Sequence, residues 1–204
     1  MIVIVDYGMG NVGSMANMLR KIGATATVSS DAQAIARAEK LVIPGVGAFD
    51  AGMRQLADRG LVPLLEERVA AGTPTLGVCL GMQLLARGSE EGQLPGLGWI
   101  DAHARRFRPD PGAAQLKVPH MGWNAVRALR EHPLFAEMPE EMRFYFVHSY
   151  HVVCEHPGSA LAHAEYGRDF VAAVARDNVM GVQFHPEKSH HFGMRLLRNF
   201  AERC

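Results

Sequence analysis

The residues able to do covalent chemistry centre on one cysteine. Cys79 stands in Thr75-Leu76-Gly77-Val78-Cys79-Leu80-Gly81-Met82-Gln83, with a short apolar run before it and the helix-like Gln83-Leu84-Leu85-Ala86 behind it. Strand, sharp turn and helix, with G-x-C-x-G at the turn, is the pattern of a nucleophile elbow. Such a turn strains the backbone at the nucleophile and leaves no room for side chains on its flanks, which is why glycines suit it. A helix N-terminus behind a sulfur favours the anionic, attacking form. Taken alone, the motif also fits a buried structural cysteine. The second half of the chain supplies what a nucleophile needs. In Gly181-Val182-Gln183-Phe184-His185-Pro186-Glu187-Lys188, a histidine follows an apolar strand expected over 178–184, and a carboxylate comes two residues later. An attacking thiol needs a base, and the base needs a partner that holds its tautomer and stabilises the imidazolium. His185 and Glu187 supply both if that strand ends beside the elbow, and Pro186 fixes the backbone between them. The expected chemistry is acyl transfer by a Cys79–His185–Glu187 triad.

Elements that position these residues are legible from either side. Short apolar runs alternate with helix-period segments from the start, which predicts an α/β fold with a mainly parallel sheet flanked by helices. Strands are expected over 2–5, 24–28, 40–43 and 75–78, with helices over 12–22, 31–38 (Asp31 as cap) and 61–71. Cys79 then lies at the carboxyl end of a parallel strand, where open α/β sheets bind ligands. Residues 92–98 are turn-rich and 105–114 read as a polar excursion. Further on, 144–147, 151–154, 160–163 and 170–176 read as an antiparallel meander continuing or flanking the main sheet, and 192–203 as a closing helix. With no repeat, low-complexity tract or linker, a single domain over 1–204 is expected.

Six motifs in order carry a resemblance. They are Asp6-Tyr7-Gly8-Met9-Gly10-Asn11, Pro44-Gly45-Val46-Gly47-Ala48-Phe49, the Cys79 elbow, Pro119-His120-Met121-Gly122-Trp123-Asn124, Tyr145-Phe146-Val147-His148-Ser149-Tyr150 and His185-Pro186-Glu187-Lys188-Ser189. Together they resemble the class I (triad) glutamine amidotransferases, and among them the glutaminase subunits of imidazole glycerol phosphate synthase. The resemblance implies a flavodoxin-like fold and hydrolysis of glutamine to glutamate and ammonia through a Cys79 thioester. Backbone N–H groups of Leu80 and Val46 would form the oxyanion hole. In the resembling family, the Val46 turn is thought to be mis-set until a partner signals. Gly45 and Gly47 would let that turn approach the substrate. Gln83, Glu91, His148, Ser149 and Tyr150 would hold the glutamine head, although Glu91 equally fits a solvated surface charge. No cofactor and no metal are implied. Ammonia would pass to a (β/α)8-barrel cyclase in a heterodimer, with Met121, Trp123, Asn124, Tyr145 and Lys188 at the interface. Residues 119–124 suit a loop presenting an aromatic anchor, while Trp123 alone fits a core position as well.

Composition sets the outer bounds. The 204 residues allow one domain with a sizeable core, and 48% hydrophobic with 21% charged residues is a globular balance. With 21 basic against 21 acidic residues, nothing electrostatic points to nucleic acid or an anionic membrane. No run approaches the roughly 20 apolar residues of a membrane span. Three scattered cysteines make no disulfide framework, and a thiol nucleophile suits a reducing cytoplasm. Met1 leads straight into an apolar strand, so no signal peptide is expected. Rival readings are a paralogous glutaminase serving amidation of a surface-polysaccharide sugar, a stand-alone hydrolase with the same triad, and a binding module with a dead site. The runs 96–101 and 189–194 lean somewhat toward the first of these. Residues 119–124 argue against the second, and the intact triad against the third.

Overall fold

The computed structural model describes residues 1–108 and 116–204. Its elements follow the periodicities of the sequence. In β1 (Ile2–Val5), all four residues are buried, and alternate side chains enter opposite layers. Ile2 and Ile4 pack with Met15 and Leu19, whereas Val3 and Val5 pack with Ile35, Leu41 and Ile43. A strand buried on both faces is the mark of a sheet covered by helices on either side.

α1 (Val12–Lys21) takes its N-cap from Asn11, whose side chain accepts from the Ser14 N–H. It is followed by β2 (Ala26–Ser29) and α2 (Ala32–Ala36), capped by Asp31 as expected. Then come β3 (Lys40–Gly45), α3 (Phe49–Asp58), α4 (Leu61–Ala70), β4 (Thr75–Cys79) and the single-turn α5 (Leu80–Leu84). β2 begins later than the sequence suggests. The Ala24 N–H donates to Leu19 and the Gly23 N–H to Arg20, so that stretch closes the end of α1. α3 is not anticipated by the sequence reading.

Beyond the elbow lie β5 (Gly88–Ser89), β6 (Ala102–Arg106), β7 (His120–Ala128), β8 (Met142–His148), β9 (Tyr150–Cys154), β10 (Ala160–Glu165), β11 (Asp169–Arg176), β12 (Val179–Val182) and α6 (His190–Arg203). The sheet runs β2-β1-β3-β4-β12-β11-β10-β7-β8. β2, β1, β3, β4 and β12 pair in parallel, and the order continues antiparallel from β11 onward. The meander is therefore fused to the parallel sheet through β12.

Three expectations are corrected. Residues 119–124 are not a loop: from His120 they form β7, paired residue by residue with β8 from His120–His148 to Val126–Met142. The strand expected over 178–184 is shorter: the Gln183 N–H still donates to the Ala172 carbonyl of β11, but the chain then turns toward β8, the His185 N–H donating to the Tyr145 carbonyl. Arg105 and Arg106 belong to β6 rather than to a polar excursion. The remainder of that excursion, from 109 on, lies outside the described residues.

Candidate active site

β4 delivers the nucleophile. Parallel pairing with β3 on one side and β12 on the other leaves Cys79 at its carboxyl end. There the backbone takes φ 55° and ψ −109°, a strained conformation for a residue with a Cβ, and α5 begins at once. The elbow glycines are needed for space. A Cβ on Gly81 would lie 1.8 Å from the Ile43 carbonyl oxygen, and one on Gly77 would lie 2.7 Å from that of Gly81. As the first residue of α5, Leu80 has an N–H with no partner inside the helix, beside the sulfur.

His185 arrives from the other strand. Its backbone N–H is held by Tyr145, and its carbonyl accepts from the Ser189 hydroxyl at 2.6 Å. Ser189 Oγ in turn accepts from the Tyr145 N–H at 3.0 Å, locking the turn to β8. His185 Nδ1 lies 2.8 Å from Glu187 Oε1, both side chains almost fully buried. Burial pushes the His185 pKa down, but the Cys79 sulfur and the Glu187 carboxylate outweigh it and raise it to about 9. Its Nε2 has no conventional hydrogen-bond partner, which leaves it available for proton transfer. The structure thus brings Cys79, His185 and Glu187 together as the sequence suggests.

A cavity of about 300 Å³ opens over the sulfur, lined by Val46, Gly47, Cys79, Leu80, Gln83, Glu91, Pro119 and the Val147–Tyr150 segment. Larger grooves of about 540 and 890 Å³ lie along the β7 side of the sheet, but neither is lined by a cysteine. The chemistry, rather than size, selects the smaller one. Glu91 is not a free surface charge: its carboxylate accepts from the Phe49 N–H at 2.8 Å, capping α3, which has no side-chain cap of its own at Ala48. Asp50, in the first turn of α3, accepts from the Gln93 and Leu94 N–H groups and ties the following loop down. Gly45, expected near the substrate, ends β3 with no room for a side chain: a Cβ there would sit 2.6 Å from Tyr7 Oη.

Around the mouth, Met121 is 62% and Trp123 41% exposed, so Trp123 is not a core residue. Its ring stacks on His190 and meets Tyr145 edge-on, and the Lys188 ammonium sits 5.8 Å from the Tyr145 ring centre. Asn124 turns its amide inward, to His120 and the Glu165 carbonyl.

Sequence reasoning missed two buried polar residues here. Tyr7 is fully buried with an unpartnered hydroxyl, and burial, then the Cys79 sulfur, pushes its pKa upward. Gln183 is fully buried, with its amide nitrogen 3.7 Å from Cys79 Sγ. The available signal for Gln183 was a lone amide within an otherwise apolar run.

The family model described as glutamine amidotransferase class-I matches residues 3–204. The chain belongs to the class I glutamine amidotransferases. Among relatives of this family, the imidazole glycerol phosphate synthase subunit HisH 2 of Pseudomonas aeruginosa is 55% identical, over 99% of each chain. The subunit HisH 2 of Methanococcus maripaludis is 50% identical over the whole of both, and subunit HisH of Bdellovibrio bacteriovorus 48% over 99% of this chain and 100% of that one. A crystal structure of a glutamine amidotransferase superimposes with a TM-score of 0.74 at 20% identity, covering 99% and 98% of the two chains. The PurLQS structure from Thermotoga maritima gives 0.73 at 15% identity, over 98% and 96%. These two speak for the fold.

Proposed function

We propose that this chain is the glutaminase subunit of an imidazole glycerol phosphate synthase in histidine biosynthesis. The observation that carries the reading is full-length identity of 48–55% to subunits of that name, in a chain whose Cys79 elbow closes on a buried His185–Glu187 pair. Cys79 sulfur attacks the side-chain amide carbon of glutamine, ammonia leaves, and a γ-glutamyl thioester remains. Water then cleaves the thioester to glutamate and restores the thiol. His185 takes the thiol proton, gives it to departing ammonia, takes one from water and returns that one to the sulfur as the thioester breaks. Glu187 orients the imidazole and stabilises its cation, consistent with the raised His185 pKa.

Each tetrahedral intermediate needs an oxyanion hole, worth roughly 3–4 kcal/mol per donor. Leu80 N–H is one donor and Val46 N–H the other, the latter on a turn whose exposure at Val46 (42%) leaves it open to a partner's influence. Gly45 and Gly47 shape that turn. Gln83, Glu91, His148, Ser149 and Tyr150 hold the amino-acid head in a cavity of about 300 Å³, a volume suited to one small ligand.

Free ammonia is readily protonated and lost, so an acceptor site has to lie close by. The partner is a (β/α)8-barrel cyclase that docks on Met121, Trp123, Asn124, Tyr145 and Lys188, forming a cytoplasmic heterodimer with this single glutaminase domain of 1–204. Among the described residues, no helix is long and apolar enough to cross a membrane. The products of the complex are glutamate, imidazole glycerol phosphate and aminoimidazole carboxamide ribotide. Relatives carrying the synthase name do not favour the surface-sugar alternative.

The test is glutamate release by the purified chain, with and without the cyclase and its ribonucleotide ligand. Strong stimulation by the pair is expected. Glutaminase activity indifferent to that cyclase would move the protein to another ammonia acceptor, and no glutaminase in any mixture would remove the reading altogether.

A further inference from the structure

Gln183 has no part in the mechanism above, yet its fully buried amide must find partners at both ends. Which end faces which neighbour follows from chemistry. The Tyr150 carbonyl can only accept, so the two groups facing it, His148 Nδ1 at 2.8 Å and Gln83 Nε2 at 3.2 Å, both donate. Gln83 Nε2 also lies 3.1 Å from Gln183 Oε1. Gln183 therefore turns its oxygen to Gln83 and its nitrogen to the Cys79 sulfur, 3.7 Å away.

The far side is equally determined. Burial pushes His148 down to about 3 and His120 to about 4, so both rings are neutral near pH 7. With Nδ1 protonated, His148 accepts at Nε2 from His120 Nδ1, 2.9 Å away. His120 then accepts at Nε2 from Asn124 Nδ2 at 3.3 Å. The Asn124 amide faces the right way for this, since its nitrogen also donates to the Glu165 carbonyl and its oxygen accepts from the Ala125 N–H.

We propose that Gln183 is a further catalytic residue, donating its side-chain N–H to the Cys79 sulfur, and that Gln83, itself oriented by the Tyr150 carbonyl, is the positioning residue that holds the Gln183 amide in that direction. The proposal rests on Cys79 being the nucleophile. As a thiol, the sulfur has the Val147 carbonyl 3.9 Å away as acceptor; once it is an anion, the Gln183 donor stabilises it.

Alkylation of Cys79 by iodoacetamide at pH 7, followed by mass spectrometry of the Cys79 peptide, reads the sulfur without involving a glutamine head. Gln183→Met, close in size but without a donor, is expected to alkylate about 3- to 10-fold more slowly: losing one hydrogen bond to a charge lowers the anionic fraction about 10- to 100-fold, and the more basic sulfur regains roughly half of that on a logarithmic scale in nucleophilicity. Gln183→Glu, with an acceptor in place of the donor, slows at least as much. Gln83→Met, which removes the donor that fixes the Gln183 oxygen, slows the reaction several-fold. Wild-type rates in both Gln183 variants overturn the proposal; so does a wild-type rate in Gln83→Met at equal melting temperature. Should the Gln183 variants fail to fold, the Gln183 side-chain amide NMR signals of the unaltered chain decide: they shift when Cys79 is alkylated if the contact exists, and unmoved signals refute it. The glutaminase reading fails separately, on absent glutamate release by the wild-type chain beside its cyclase, and the iodoacetamide rates would still judge Gln183.

Discussion

Replacing Gly81 by alanine puts a methyl group where the fold has no space for one. The new Cβ would fall 1.8 Å from the Ile43 carbonyl oxygen and 2.9 Å from its carbon. An unstrained C···O contact is about 3.3 Å, so α5 and β3 must part by roughly 1.5 Å. The two nearest atoms are both backbone, and no rotamer change relieves the overlap. Overpacking of this kind costs about 1–3 kcal/mol or more. In a chain of this length each kcal/mol lowers the melting temperature by roughly 2–4 °C. The same shift carries Cys79, which immediately precedes α5, away from His185, and a misplacement of about 1 Å costs on the order of 10²-fold in rate. Two other glycines grade the effect. A Cβ on Gly77 would meet the Gly81 carbonyl at 2.7 Å, a milder clash, whereas one on Gly13 in α1 would meet nothing within 4 Å. Gly13→Ala should stabilise by about 0.5–1 kcal/mol through helix propensity. Urea unfolding of the three variants, with glutamate release in the presence of the cyclase, should rank Gly13→Ala above Gly77→Ala above Gly81→Ala. A Gly81→Ala protein within about 0.5 kcal/mol of the parent and turning over normally would refute the close packing of the elbow.

Further expectations follow from the same geometry. Cys79→Ala should abolish glutamine-dependent turnover while its complex with the cyclase still runs on ammonium salts; surviving glutaminase activity would exclude Cys79 as nucleophile. Glu187→Gln removes the carboxylate that helps raise His185, so the His185 pKa falls from about 9 and kcat drops about 10- to 100-fold, measurable as a pH–rate profile; an unchanged profile would detach Glu187 from the base. Trp123→Ala should weaken cyclase binding by about 1–2 kcal/mol in calorimetry and leave iodoacetamide labelling of Cys79 alone, and unchanged affinity would take Trp123 out of the interface. His120 and His148 ionise less readily folded than unfolded, so the stability they contribute is present above pH 6.5 and is lost as pH falls toward their folded values of about 4 and 3. Each should add about 1.4 kcal/mol per pH unit to the loss over that window, and a urea midpoint that stays constant from pH 7 to pH 5 would contradict it.

The parallel half of the fold was legible because its strands are buried on both faces and read as unbroken apolar runs, β1 and β3 above all. The triad was legible because its chemistry demands residue types that few other roles require at that spacing. β7 was not, for a physical reason. It alternates buried and exposed positions weakly, carries Gly122 and follows Pro119, and its exposed Met121 and Trp123 break the polar-outside rule on which strand patterns rest. α3 was hidden for a related reason. Its apolar stripe Phe49, Met53 and Leu56 has helical spacing, but Gly52 and the glycine-rich turn before it read as loop. Gly52 stands there because the Leu80 and Leu84 side chains of α5 come within 3.3 Å of where its Cβ would be, a contact invisible in one dimension. Glu91 shows the limit most clearly. The sequence offered a surface charge or a substrate ligand, and the structure adds a role neither reading contained, the cap of α3, which has none at Ala48.

Charge at the site is divided between histidines that are close enough to feel one another. His185 is raised to about 9 by the Cys79 sulfur and the Glu187 carboxylate beside it, whereas burial holds His148 at about 3, with the His185 charge among the minor contributions pushing it down. Opposite displacements of like groups are how a site separates the roles of its titratable residues. Here the separation has a geometric consequence. A second cation at His148 would lose the acceptor it offers to His120 and would repel the imidazolium of His185. Keeping His148 neutral concentrates the positive charge at the one ring that faces the sulfur, and leaves the other to hold the Tyr150 carbonyl in the wall of the pocket. The buried histidines beside His185 thereby set a fixed order of hydrogen bonds, from Asn124 through His120 and His148 to the Tyr150 carbonyl.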